Sequence, residues 1–195
     1  MTANILIERD VMVTMRDGVR LATDIYRPDD GKRHPVLVNG HVYDNDHFLI
    51  VHELVFSPLV AAQRGYAVVV QEVRGRAGSE GTWRPYTKIR EDAYDTVEWA
   101  AAQSWSNGKV GTTGFSFTGS NQQSLAITNH PTLKSQVVFD AAINYFRRTV
   151  REDGAFVVGQ LGTYALRMAL TSPEARKDPL LRAQLEAVRA RSPEW

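Results

Sequence analysis

Four short runs of apolar and small residues, Pro35–Asn39, Ala67–Glu72, Lys109–Thr113 and Leu133–Phe139, limit what this chain can fold into. Each is short for a helix and lacks the strict polar alternation of a half-solvated strand, so each reads as a strand buried within a sheet. Helical signals stand between them. Ser57 to Arg64 is one, Glu91 to Ala102 is a second with Ala93, Val97, Ala100 and Ala101 on one face, and Ser120 to Asn129 is a third. Parallel strands need crossover connections of this kind, so the alternation predicts an α/β fold: a mostly parallel sheet flanked by helices, with ligands at the carboxyl ends of the strands. Ahead of it, Val11, Val13 and Met15, then Asp17-Gly18, then Val19, Leu21, Thr23 and Ile25 read as an N-terminal hairpin.

The third run leads into Gly114-Phe115-Ser116-Phe117-Thr118-Gly119 and then directly into a helix. A serine on a tight strand-to-helix turn holds its hydroxyl above the sheet, where a base can reach it. The next backbone amide, that of Phe117, points toward the same space as an oxyanion donor. The alternative is an ordinary glycine-bounded turn. In the usual hydrolase pattern the second glycine sits one place earlier, where this chain has Thr118.

Charge and composition exclude several other functions. Lys and Arg number 23 against 22 Asp and Glu, so the net charge of +1 offers no field for nucleic acid or an anionic membrane. The chain has no cysteine, which removes disulfides, thiolate metal sites and cysteine nucleophiles together. The N-terminus carries no secretory signal pattern, which makes the cytoplasm the expected compartment. The longest apolar segment, Ala155 to Leu170, reads as a single helix shorter than the ~20 residues of a membrane span. A second helix follows Pro179, with Leu181, Leu185 and Val188 at helical spacing.

Several motifs occur together and in order: Met15-Arg16-Asp17-Gly18-Val19-Arg20-Leu21, Asp24-Ile25-Tyr26-Arg27-Pro28, Tyr43-Asp44, Arg74-Gly75 with Ser79-Glu80-Gly81, Trp105 to Gly111, and Gly114 to Gly119. On these the chain resembles the α/β-hydrolases grouped with cocaine esterase and the Xaa-Pro dipeptidyl peptidases (the CocE/NonD hydrolases), over roughly residues 10 to 145. That family is similar in using Gly-x-Ser-x-x-Gly. The resemblance implies a serine hydrolase that cleaves an ester or amide through an acyl-enzyme on Ser116, with Tyr43 in the place of the family's oxyanion tyrosine beside the Phe117 amide. It implies no metal or organic cofactor and a small ester or peptide substrate. It also implies that residues 1–145 are the first part of the hydrolase core and residues 146–195 the start of a helical cap.

The same resemblance leaves the triad aspartate and histidine without an identifiable residue here. The chain is therefore expected to be either the N-terminal part of an active hydrolase or a catalytically inactive half-protein that folds with or binds a partner. An unpaired edge at Leu133 to Phe139 would favour self-association or a missing C-terminal polypeptide. Among the remaining polar residues, His41 is a weak substitute base, His47 and His52 with Asp44 and Asp46 form only a faint metal pattern, His130 is expected to close a helix as an imidazolium, and His34 is expected on a loop surface. Asp92, Asp95 and Glu98 read as a solvated helix face. Arg74, Ser79 and Glu80 read either as site lining or, preferably, as ion pairing between loops. Glu72 stands where the family resemblance leads one to expect Asp.

Overall fold

The computed structural model describes residues 4–43 and 56–191. The chain divides into two compact units, residues 1–141 and 142–195.

The first unit is built on a six-stranded sheet. In chain order its strands are β1 (Ile5–Thr14), β2 (Arg20–Pro28), β3 (His34–His41), β4 (Ala67–Glu72), β5 (Ser106–Phe115) and β6 (Leu133–Phe139), arranged β1-β2-β4-β3-β5-β6. β1 and β2 form the expected antiparallel hairpin, and β2 also runs antiparallel to β4. From β4 through β3 and β5 to β6 every pairing is parallel. Three helices connect them: α1 (Pro58–Gln63), α2 (Ile89–Ala102) and α3 (Phe117–Ala126).

Composition explains why β4 is an inner strand. All six of its residues are buried, as the apolar run Ala67–Val70 requires of a strand covered on both faces, and the polar Gln71 and Glu72 that end it are hydrogen-bonded to Thr23 and to the Gly78 amide. One face packs Ile25, Val36, Val38, Val69 and Val110 against Val97, Ala100 and Leu125 of α2 and α3. The other packs Tyr26, Val68 and Val70 against Ala62 of α1. Local signals mark the ends of α1: the Ser57 hydroxyl accepts from the Val60 amide, and Pro58 occupies the first turn, where a missing N–H costs nothing. β5 starts earlier and runs longer than the sequence suggests, because Ser106 to Gly108 continue the pairing begun between Ser106 and His34.

The second unit departs from the sequence reading. Ala155 does not begin a helix: Arg151–Glu152 (β7) and Ala155–Phe156 (β8) pair as a small hairpin around Asp153 (φ 47) and Gly154 (φ 96). Two consecutive positive φ values are what an Asp-Gly hairpin turn demands. The helix, α4, occupies Val158–Leu170 and is followed by α5 (Pro173–Lys177) and α6 (Pro179–Arg191). Before the hairpin, Tyr145–Thr149 forms a short π-helix whose first amides, on Phe146 and Arg147, are capped by the Asn144 side chain.

Candidate active site

Register brings the candidate residues to one edge of the sheet. β3 and β5 are parallel neighbours, with Leu37 opposite Gly111 and Val38 opposite Thr112. Their carboxyl ends therefore lie side by side: Tyr43 stands two residues beyond β3, and Ser116 one residue beyond β5. Asparagines hold this corner together. Asn39 donates to the Thr113 carbonyl at 2.9 Å, and Asn121 of α3 donates to the Gly40 carbonyl at 3.2 Å.

Ser116 has φ 56 and ψ −118, a backbone conformation a non-glycine residue adopts only when its surroundings enforce it. The enforcing contacts are specific. The Ser116 amide donates to the Phe139 carbonyl of β6 at 3.0 Å, and the Ser116 carbonyl accepts from the Ser120 amide at 2.9 Å. Thr118 clasps the strand end, its hydroxyl accepting from the Phe115 amide and donating to the Phe115 carbonyl, both at 2.7 Å. Threonine at this position is thus a working part of the turn rather than a defect in the pattern.

Close approach explains the two flanking glycines. A Cβ on Gly114 would lie 2.5 Å from the Thr118 carbonyl oxygen, and one on Gly119 would lie 2.9 Å from the Ala141 Cβ and 3.0 Å from the Phe139 carbonyl oxygen. The glycine after the serine is needed where α3 crosses β6, which is why it sits at 119.

The Ser116 side chain is half-buried and caps no helix amide, although Ser116 holds the N-cap position where serine ordinarily does so. Its hydroxyl is left available. The Phe117 amide is in the first turn of α3, where N–H groups have no intrahelical acceptor, and none of the described residues supplies one. The Phe117 ring is buried and lies against Tyr86, with centroids 5.1 Å apart. Tyr43 is half-buried at the neighbouring strand end.

The other polar candidates fall away from this corner. His41 is fully buried on β3. His34 is not on a loop surface: it is buried on β3, with Nε2 2.9 Å from Asp30 and Nδ1 3.0 Å from the Gly65 carbonyl. His130 is buried against the Tyr94 ring, and burial pushes its pKa below the usual imidazole value, so it is a neutral ring and not the expected imidazolium. His47, His52, Asp44 and Asp46 lie outside the described residues. Among the described residues no group of three or more His, Asp and Glu side chains could hold a metal ion.

Arg74, Ser79 and Glu80 tie loops together. Arg74 bridges Asp92 (2.6 Å) and Asp17 (2.9 Å), Glu80 pairs with Arg20, and the Ser79 hydroxyl links the Glu72 carbonyl to the Ala22 amide. Asp92 and Asp95 are therefore not a solvated face. Asp92 is buried in its pair with Arg74, and Asp95 pairs with Arg16. Arg74 holds Asp17 below the usual carboxylate range, whereas burial raises Asp92 against the opposing pull of the same guanidinium. The two-point contact of Arg74 on Asp92 is the geometry of an ionised pair. Glu72 is buried and accepts from the Gly78 amide at 2.6 Å, which uses the extra reach of Glu over Asp to brace the same loop.

A cleft between the sheet and α2 and α3 is bordered by Gly40, Trp83, Thr118 and Asn121. It reaches neither Ser116 nor Tyr43, so it belongs to the packing beneath the site. The strand ends above it are the candidate active site.

A mostly parallel sheet whose inner strand β5 turns sharply into a helix at a half-buried serine is the α/β-hydrolase fold. Residues 17–195 match the X-Pro dipeptidyl-peptidase (S15) family model, and the chain belongs to that family. Cocaine esterase from Rhodococcus sp. (strain MB1 Bresler) is 38% identical over 144 residues, which cover 74% of this chain and 25% of the esterase. A CocE/NonD family hydrolase from Staphylococcus aureus superposes with a TM-score of 0.66 at 30% identity, covering 75% of this chain and 29% of that one. An aminopeptidase from a marine sediment Thaumarchaeota archaeon superposes with a TM-score of 0.75 at 26% identity over 88% of this chain and 31% of its own. The chain thus spans about a quarter of the length of the curated relative. Among the described residues no helix is long and apolar enough to cross a membrane.

Arg76 escaped the sequence reading. It was hidden in a charged, glycine-rich loop, yet it is buried, and its Nε donates to the Val42 carbonyl at 3.0 Å, one residue before Tyr43. Only a three-dimensional contact across 34 positions reveals it.

Proposed function

We propose that this chain carries the nucleophile and oxyanion site of a serine hydrolase that cleaves an ester or amide bond through an acyl-enzyme on Ser116. The observation that carries this reading is the Ser116 turn: a backbone held at φ 56 presents a hydroxyl that caps no helix amide, next to a helix-first-turn amide for which no described residue supplies an acceptor. In the proposed step the Ser116 hydroxyl oxygen attacks the substrate carbonyl carbon while its proton passes to a general base that none of the described residues supplies. The developing oxyanion accepts from the Phe117 amide and the Tyr43 hydroxyl, and as it collapses the ester C–O or amide C–N bond breaks, the same base returning the proton to the departing alcohol or amine and leaving the acyl group on Ser116. The first turn of α3 adds its positive dipole end to the same charge. A neutral phenol donates strongly to a developing negative oxygen, and one such donor contributes about 2.7–4 kcal/mol in comparable sites. The chemistry requires no metal or organic cofactor.

Relatives bracket the substrate class. One is named for an ester and another for peptide cleavage, and an acyl-enzyme mechanism serves both bonds. The test is to incubate the chain with a chromogenic acetyl ester, quench in acid, and map acylation by mass spectrometry. An acetyl group on the peptide containing Ser116, lost in Ser116→Ala, is the expected result; no adduct on Ser116 would refute it.

One observation favours a second reading, in which this polypeptide is a non-catalytic part that acts with a partner. β6 lies at an edge of the sheet, and Val137, Val138 and Phe139 are 40–47% exposed along it. An apolar strand edge invites pairing, with a second copy or with a further polypeptide that supplies the triad acid and base. On that reading the chain alone retains only the ~10³–10⁴-fold enhancement that survives loss of triad members.

A further inference from the structure

We propose that Arg76 is a positioning residue for the oxyanion site: its buried guanidinium fixes the peptide plane between Val42 and Tyr43 and so aims the Tyr43 hydroxyl. This inference rests on the reading of Tyr43 given above.

The backbone geometry creates the need. The β3–β4 ladder ends with His41 opposite Glu72, and the Val73 amide closes it by donating to the His41 carbonyl at 2.8 Å. The next carbonyl, that of Val42, lies beyond the ladder on a fully buried residue, and a buried carbonyl must find a donor. Arg76 provides it through Nε at 3.0 Å.

The donor is of a rigid kind. Arg76 is 3% exposed, and its contact with the Val42 carbonyl is a charge-assisted hydrogen bond from a planar, always-charged group. Arg76 is itself held rigidly. Its guanidinium lies over the Trp83 ring at 5.1 Å, its amide donates to the Val73 carbonyl, and its carbonyl accepts from the Ser79 amide. Gly75 keeps that loop wound tight, because at φ 68 a Cβ there would collide with the Trp83 backbone nitrogen.

A carbonyl and the amide that follows share one plane, so anchoring the Val42 oxygen sets the direction in which the chain enters Tyr43. A phenol whose root is fixed can meet the oxyanion without reorganising at the moment of reaction. In this role Arg76 acts through the backbone before Tyr43 and not on the reacting atoms.

The experiment is a double-mutant cycle read on the rate at which a fluorophosphonate probe modifies Ser116. It compares the wild-type chain, Arg76→Leu, Tyr43→Phe and the double variant. Arg76→Leu is expected to slow modification by up to about 10²-fold, the scale of an ångström-sized misplacement, with little further loss once the Tyr43 hydroxyl has been removed. Arg76→Lys, which keeps the charge but not the planar Nε–H, is expected to behave like Arg76→Leu; rescue by lysine would assign Arg76 a charge role instead. Equal slowing by Arg76→Leu in the wild-type and Tyr43→Phe backgrounds overturns the positioning role and leaves the Tyr43 reading intact. A rate that Tyr43→Phe does not alter removes that reading itself. Hydrogen exchange decides the matter without modification: Arg76→Leu is expected to accelerate exchange over residues 40–43 while β4 stays protected, and unchanged exchange there contradicts the proposal.

Discussion

The two units of this chain differ in where their apolar surface goes. In residues 4–141 the sheet and its helices bury Leu21, Val36, Val68, Val69, Val110 and Leu125 to 1% exposure or less. In residues 142–191 only Met168 and Ala175 are buried among apolar residues, while Ile143, Val158 and Leu180 stand 64–91% exposed and α6 buries nothing. The first unit is stabilised by its own interior, whereas helices as short as α4 and α6 gain little stability in water without an apolar partner for one face. The candidate site lies wholly on the first unit. Preorganisation of a strained serine turn needs that rigidity, since the contacts at Phe139, Ser120 and Thr118 must outweigh a backbone cost of about 1–3 kcal/mol.

The sharpest way to break this comparison is to remove the same side chain from each unit. Leu125→Ala is expected to lower the stability of the first unit by about 2–5 kcal/mol, because a cavity opens in a close-packed core. Leu180→Ala, 78% exposed, is expected to change stability by no more than about 0.5 kcal/mol. Urea unfolding followed by tryptophan fluorescence measures both, and comparable losses would mean that the two units share one core.

A smaller effect sharpens the same contrast through pH. His130 of the first unit is buried with its pKa below the ordinary imidazole value. The unfolded chain therefore binds a proton that the folded chain resists. The stabilisation is fully present above the unfolded value of about 6.5 and is lost as pH falls through the window below it. The urea midpoint of the first unit is expected to fall on acidification from about pH 7 toward 5, and His130→Phe is expected to reduce that slope. An identical slope in the variant would assign it to other groups.

Much of the fold was legible because its signals are local. Buried strands announce themselves as apolar runs, the Ser116 turn as small residues between a strand and a helix, and α1 as Ser57-Pro58. What failed depended on distant partners. Nothing near His34 in sequence says that the Gly65 carbonyl closes over it, and nothing near Asp92 says that Arg74 will reach it. The error at Ala155 was different in kind: Asp153-Gly154 is a local hairpin signal, outweighed by the long apolar stretch after it. Arg76 joins the first group, since a buried arginine serving the residue before Tyr43 leaves no trace in either segment alone.

The most direct test of the central claim, that Ser116 and Tyr43 form one acylation site, is the rate of Ser116 modification by a fluorophosphonate in Tyr43→Phe relative to the wild-type chain. The account predicts a loss of about 10²–10³-fold, the effect of removing one oxyanion donor, in a protein whose unfolding is otherwise unchanged. Equal rates would contradict it, and would leave Tyr43 a half-buried aromatic beside a serine that works without it.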